Sequence, residues 1–370
     1  NNAEMRNGSG MFLSVGEMST SHGEIDLGQM QPVPAIEVPR GVPVTGDMAA
    51  RWGWANPSRD WTSLMMSPHF ETSASLAAKM WKAATGRSVD GIVAVDPPGF
   101  RALLRATGPV TVNGKRIGPD NVIGELLHDQ YLKFPTFDVS RFRREKLGDI
   151  ANAVMAKLNS GKWDPAELMS GLAEAARGRH VMLWSSRAAE QNAWHIAGAD
   201  GRLGESSLMV SLLNRGGNKL DWFMRANADL SFEPKGNKTE GVLRVTIRNE
   251  TPRGEPEYIQ GPHPDSGGVA GEYVGILAIT LPRGAGGGRI DGVPKLGVVG
   301  PDGPTRVVGV YFKLARGRTR TFVIRFELAR TEGSLRVEPA ARVPATDWHS
   351  GTDEWEDSEP HVVTWGTKEP

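Results

Sequence analysis

Val89-Asp90-Gly91-Ile92-Val93-Ala94-Val95-Asp96-Pro97-Pro98-Gly99 decides how the first half of this chain is read. The β-branched run over 89–95 is a strand by composition, and its apolar continuity reads as burial. Asp96 and two prolines stop that strand and open a helix over 99–107, with Pro97 or Pro98 in its first turn. Working outward, the same alternation recurs. Residues 72–85 (TSASLAAKMWKAAT) place Leu76, Met80 and Trp81 on one helical face and end at Gly86. On the other side come a hairpin turning at Asn113-Gly114, helices over 119–133, 140–159 and 165–176, and a strand over 179–185. Before them, 10–18 and 22–30 read as strands, and the prolines of 31–45 forbid a helix. Residues 1–204 are therefore expected to form an α/β domain, a mixed sheet flanked by helices.

The pattern changes after about residue 205. Helical periodicity stops, and strands are expected over 218–233, 241–249, 273–281, 305–315, 319–330 and 334–338, separated by loops such as Gly284–Gly288. Residues 205–345 read as an all-β, immunoglobulin-like sandwich. The segment 346–370 reads as an acidic tail that Trp348, Trp355 and Trp365 tack onto another surface.

The totals exclude several classes. The 370 residues carry 43 basic and 43 acidic side chains, so there is no broad basic face for nucleic acid, and any anion site must be a local cluster. With no cysteine, disulfides, thiolate chemistry and zinc–thiolate sites are excluded. No run approaches the ~20 apolar residues of a membrane span. The chain opens at Asn1 without an initiator Met, so a membrane anchor, if there is one, lies outside this sequence.

Candidate site residues fall into three groups. Asp138 or Ser140 can cap the helix that follows, which sets Arg141 and Arg144 on one side of its first turn, beside free N–H groups. Two guanidiniums there suit a phosphate, whose oxygens they match in pairs; the structural alternative is a solvated turn paired with Asp138 and Glu145. Trp52, Trp54 and Trp61 are either a packed lid or a wall for sugar rings. Asn218, Lys219 and Asp221, after Gly216-Gly217, read as an interdomain clamp. His69, His128, His180 and His195 lack zinc-binding spacing, and no G-x-S-x-G elbow is present.

Asn2-Ala3-Glu4-Met5-Arg6, with Gly8 and Gly10, resembles the opening of the domain of unknown function 4012 family. Further matches are Ser67-Pro68-His69-Phe70, the stretch from Val89 to Pro97, Gly108 to Val112 and Gly216 to Lys219. That family in turn resembles, more distantly, the LytR–CpsA–Psr phosphotransferases of the cell envelope. Asp138, Arg141 and Arg144 fall in register with their arginine helix, and Glu145 stands where they have Gln. Asn7-Gly8 stand where an aspartate follows their early arginine, the counterpart of Arg6.

This resemblance implies an extracellular envelope protein that binds a polyprenyl-pyrophosphate-linked glycan and transfers it to a cell-wall hydroxyl. Arg6, Arg141, Arg144, Glu4 and Asp60 are the catalytic candidates, and Asp96 is the candidate ligand for Mg2+. Asn2, Trp54 and Trp61 join the arginines as substrate contacts. Two alternatives stay open. One is a non-catalytic glycan- or lipid-binding or assembly protein. The other is a glycoside hydrolase using two carboxylates such as Glu4 and Asp60.

Overall fold

The computed structural model describes residues 2–133, 140–263 and 268–366; the side chains of residues 140–147 also lie outside the description. Its first half is built from helices and short two-stranded ladders. β1 (Ser14–Val15) pairs with β4 (Gln31–Pro32), and β2 (Met18–Ser21) with β3 (Glu24–Leu27). β5 (Gly91–Val95) runs antiparallel to β8 (Val181–Ser185), while β6 (Val110–Val112) and β7 (Lys115–Ile117) form the expected hairpin. The mixed sheet expected here is thus a set of separate ladders among the described residues. An apolar run specifies a strand, but not how many neighbours it has.

Helices do the packing that a larger sheet would have done. α1 (Gly46–Trp52) buries Met48 and Trp52, and α2 (Phe70–Thr85) buries Leu76, Met80 and Trp81, ending at left-handed Gly86. α3 (Pro97–Thr107) starts under an Asp96 cap. α4 (Val122–Gly124) runs through a π-helical turn at Glu125–Asp129 into α5 (Gln130–Lys133). α6 (Ser140–Asn159) sets Ile150, Ala151 and Val154 against α3 and the β6–β7 hairpin. α7 (Pro165–Arg177) packs on α3, and α8 (Ala188–Ile196) follows β8.

The second half is two facing six-stranded sheets. One has β13 (Gly286–Ile290), β16 (Thr319–Leu328), β11 (Lys238–Asn249), β10 (Met224–Lys235), β18 (Thr346–Ser350) and β19 (Asp353–Glu356), in that order. The other runs β14 (Val298–Asp302), β15 (Thr305–Leu314), β12 (Tyr273–Pro282), β9 (Ser207–Asn214), β17 (Gly333–Val337) and β20 (His361–Trp365). Period-2 alternation explains the core between them. Met224, Ala226, Ala228 and Leu230 of β10 point inward, as do Phe322, Ile324, Phe326 and Leu328 of β16. The segment read as a tail supplies β18 and β19 to one sheet and β20 to the other, with Trp348 buried between the sheets.

β9 is buried along its whole length, because it has apolar neighbours on both faces. Leu208, Val210 and Leu212 face the sandwich core. Leu213, with Ile276 and Ala278 of β12 and Val298 and Val307 beyond them, joins a second core with Trp52, Trp61, Met80 and Trp81. No described sheet contains strands from both halves, yet the halves share this core. A short helix, α9 (Glu257–Gln260), closes one end near residues 216–223.

Candidate functional site

The segment from Asn2 to Gly10 folds back on itself, with a bridge between Met5 and Gly10 and the Arg6 N–H donating to the Ser9 carbonyl. Gly8 is required by space: a Cβ there would lie 2.8 Å from the Ser67 carbonyl oxygen. This packing buries Glu4 and Arg6 against the loop that opens the sandwich. Glu4 accepts from Arg6 Nη2 at 3.3 Å and pairs with Lys219 Nζ. Burial alone would raise the Glu4 pKa, but Lys219 and Arg6 hold it down at about 2. For Lys219 burial works downward and the Glu4 carboxylate more than offsets it, so its pKa rises. The ammonium also lies 5.2 Å from the Tyr258 ring centre and 6.0 Å from that of Tyr131.

Arg6 has no donor to spare. Its Nε donates to the Thr62 carbonyl, Nη1 to the Met5 and Asn214 carbonyls, and Nη2 to Glu4 and the Met11 sulfur. A guanidinium has five N–H donors, and all are engaged within the protein. Asp221 continues the network, accepting from the Met5 N–H, Asn214 Nδ2 and the Tyr273 hydroxyl; burial still pushes it up to about 6. The clamp read at residues 218–221 is therefore present. It holds the N-terminal segment to the sandwich, and its partners Asn214, Tyr273 and Tyr258 had no signal in sequence spacing.

The other carboxylates are committed locally. Asp60 caps a 3-10 helix (Trp61–Met66), accepting from the Thr62 N–H, the Thr62 hydroxyl and the Ser63 hydroxyl. Asp96 caps α3 through the Gly99 N–H and also accepts from Asn2 Nδ2 at 2.7 Å and His180 Nδ1 at 2.8 Å. Asn2 is thus tied to Asp96 and to the Ala341 carbonyl. Among the described residues no three His, Cys, Asp or Glu side chains are grouped to hold a metal ion, Asp96 included. The expected Arg141 and Arg144 contacts, and Asp138 before them, lie outside the described residues.

The tryptophans divide. Trp52 is fully buried and donates to Asp302, and Trp61 is buried with its indole N–H on the Ile36 carbonyl. Both are lid residues. Trp54 is 46% exposed, fixed by a hydrogen bond to the Arg51 carbonyl. Tyr311 of β15, 51% exposed, meets it edge-on at 6.2 Å, and the Arg215 guanidinium lies 5.0 Å from its ring centre. Two aromatic side chains and a cation, from three distant parts of the chain, form one open platform.

Over residues 1–131 the chain matches the family of a protein of unknown function, DUF4012, which bears out the resemblance read from its opening motif. That match brings no likeness to the LytR–CpsA–Psr enzymes. No curated protein matches the chain. Among solved structures, a Legionella pneumophila protein named for nutrient binding is similar over 40% of this chain and 54% of its own, at 11% identity and a TM-score of 0.23. So loose a likeness transfers neither fold nor activity.

Proposed function

We propose that this is a non-catalytic glycan-binding protein of the cell envelope, with Trp54, Tyr311 and Arg215 as its contact surface. The observation that carries the reading is the exposure of Trp54 beside Tyr311 and under a guanidinium. Flat apolar rings suit the C–H faces of sugars, and the cation favours an acidic or phosphate-bearing one. The candidate acids support binding over catalysis: both oxygens of Glu4, Asp60 and Asp96 are already engaged as ion-pair and capping acceptors. Placement at the envelope and the LytR–CpsA–Psr-like description of the first half rest on the family resemblance alone, while the immunoglobulin-like description of the second half rests on its strand pattern. Transfer of a polyprenyl-linked glycan is the alternative to this reading; it rests on Arg141 and Arg144, and any magnesium requirement rests on Asp96.

Affinity electrophoresis against purified anionic and neutral wall polysaccharides tests the proposal. Trp54→Ala should weaken retention by about tenfold, the value of one lost stacking contact of ~1.4 kcal/mol. Retention unchanged by Trp54→Ala, or no retention of the unaltered protein on any wall polysaccharide, overturns it. In a parallel assay with a lipid-linked glycan donor, transfer that is lost in Arg141→Ala would move the reading to the enzyme.

A further inference from the structure

Among the described residues, β5 has one partner and an open second edge. Its register with β8, with Ser186 N–H donating to the Asp90 carbonyl and Asp96 N–H to the His180 carbonyl, places Ile92 and Ala94 in hydrogen-bonded pairs with Trp184 and Met182. Alternate residues of an antiparallel ladder point the other way, so the peptide groups of Gly91, Val93 and Val95 face away from β8. Among the described residues, no hydrogen bond reaches them. On β8 the corresponding outward donors are used: Leu183 N–H donates to the Ala199 carbonyl and Ser185 N–H to Gln191 Oε1. Val93 and Val95 are 47% and 37% exposed, which corrects the reading of this strand as buried. The edge also lacks a lysine, a proline or a bulge, the usual devices that keep edges apart.

We propose that this edge pairs with the same edge of a second copy of the chain. The outward groups at 91, 93 and 95 are symmetric about Val93. A two-fold antiparallel pairing there sets Val93 opposite Val93 and Gly91 opposite Val95, with two N–H···O=C bonds at each pair. Every open donor then meets an open acceptor, and the exposed valines cover one another. Residues 91–95 themselves carry no charge. The flanking Asp90 and Asp96, which this register sets opposite each other, are held by Arg187 and His180 of their own copy, and their like charges weaken the pairing. Pro97, which has no N–H, stops the ladder. A strand of this length buries far less than the ~1,200 Å² of a stable interface, so the dimer forms at high local concentration and dissociates on dilution.

The absence of cysteine makes a direct test available. Val93→Cys in the full chain should form a disulfide-linked dimer under mild oxidation, because cross-strand partners hold their Cβ atoms ~5 Å apart. Ile196→Cys, at a site 79% exposed on α8, reports random collision. Pairing should make the first reaction faster than the second, by a factor that is the effective concentration of the held pair divided by the dissociation constant of the dimer. Sedimentation equilibrium supplies the second readout: Val93→Lys, which opposes two ammoniums across the axis, should abolish the weak self-association of the unaltered chain. Equal crosslinking rates for the two cysteine variants, or self-association that survives Val93→Lys, overturns the proposal. So does an unaltered chain that stays monomeric across the whole concentration range.

Discussion

Lys219 spends its charge on Glu4 and on the rings of Tyr131 and Tyr258, and all of its surroundings are protein. Lys219→Met would keep the stem's packing and leave the Glu4 carboxylate buried beside Arg6 alone. A broken buried pair of this kind costs about 3–5 kcal/mol, readable as a fall in the urea midpoint at unchanged slope. Glu4→Gln in the same chain should restore part of the loss, since it removes the charge left behind. A Lys219→Met midpoint equal to that of the unaltered protein would show that the pair contributes nothing. Residue types foretold this cluster only in part. Glu4 and Arg6 stood out in the opening motif, and Lys219 beside its glycines, but partners 215 positions apart cannot be matched from spacing. Likewise nothing in the sequence indicated that Arg6 would use every donor inside the fold.

At the scale of elements, α3 depends on one side chain for its start. Asp96→Ala removes the Gly99 acceptor and leaves Asn2 and His180 each short of a partner. The loss of the cap and of the buried acceptor together should cost about 2 kcal/mol or more, while Asp96→Asn should cost less. A melting temperature unchanged in Asp96→Ala would contradict that role. The strand–Pro–helix turn was legible because Asp, Pro and Pro act locally. The open edge of β5 was not, because apolar continuity looks the same with one neighbour or two. For the terminal strands a signal was present: Thr346, Trp348 and Ser350 alternate with Asp347 and His349, which is half-buried strand periodicity. The abundance of acidic residues around them disguised it. α8 buries none of its side chains, so its sequence carries no strong stripe to read.

For the whole molecule, the core that Trp52, Trp61 and Met80 share with Leu213, Ile276 and Val307 makes the two halves one unit of stability. Calorimetry is expected to give a single unfolding transition that coincides with the tryptophan fluorescence change, and two resolved transitions would contradict it. The composition shift near residue 205 lies just ahead of β9, the first strand of the two large sheets, but a change of architecture is not a break in packing. The segment from Asn2 to Gly10 adds a mechanical consequence. Met5 is bonded to Asn214 and Asp221 and Glu4 to Lys219 on the sandwich side, while Gly8 is bonded to Met65 and Arg6 to Thr62 on the helical side. Tension applied at Asn2 is therefore passed to both halves together, first through its own bonds to Asp96 and the Ala341 carbonyl and then through the buried ion pair.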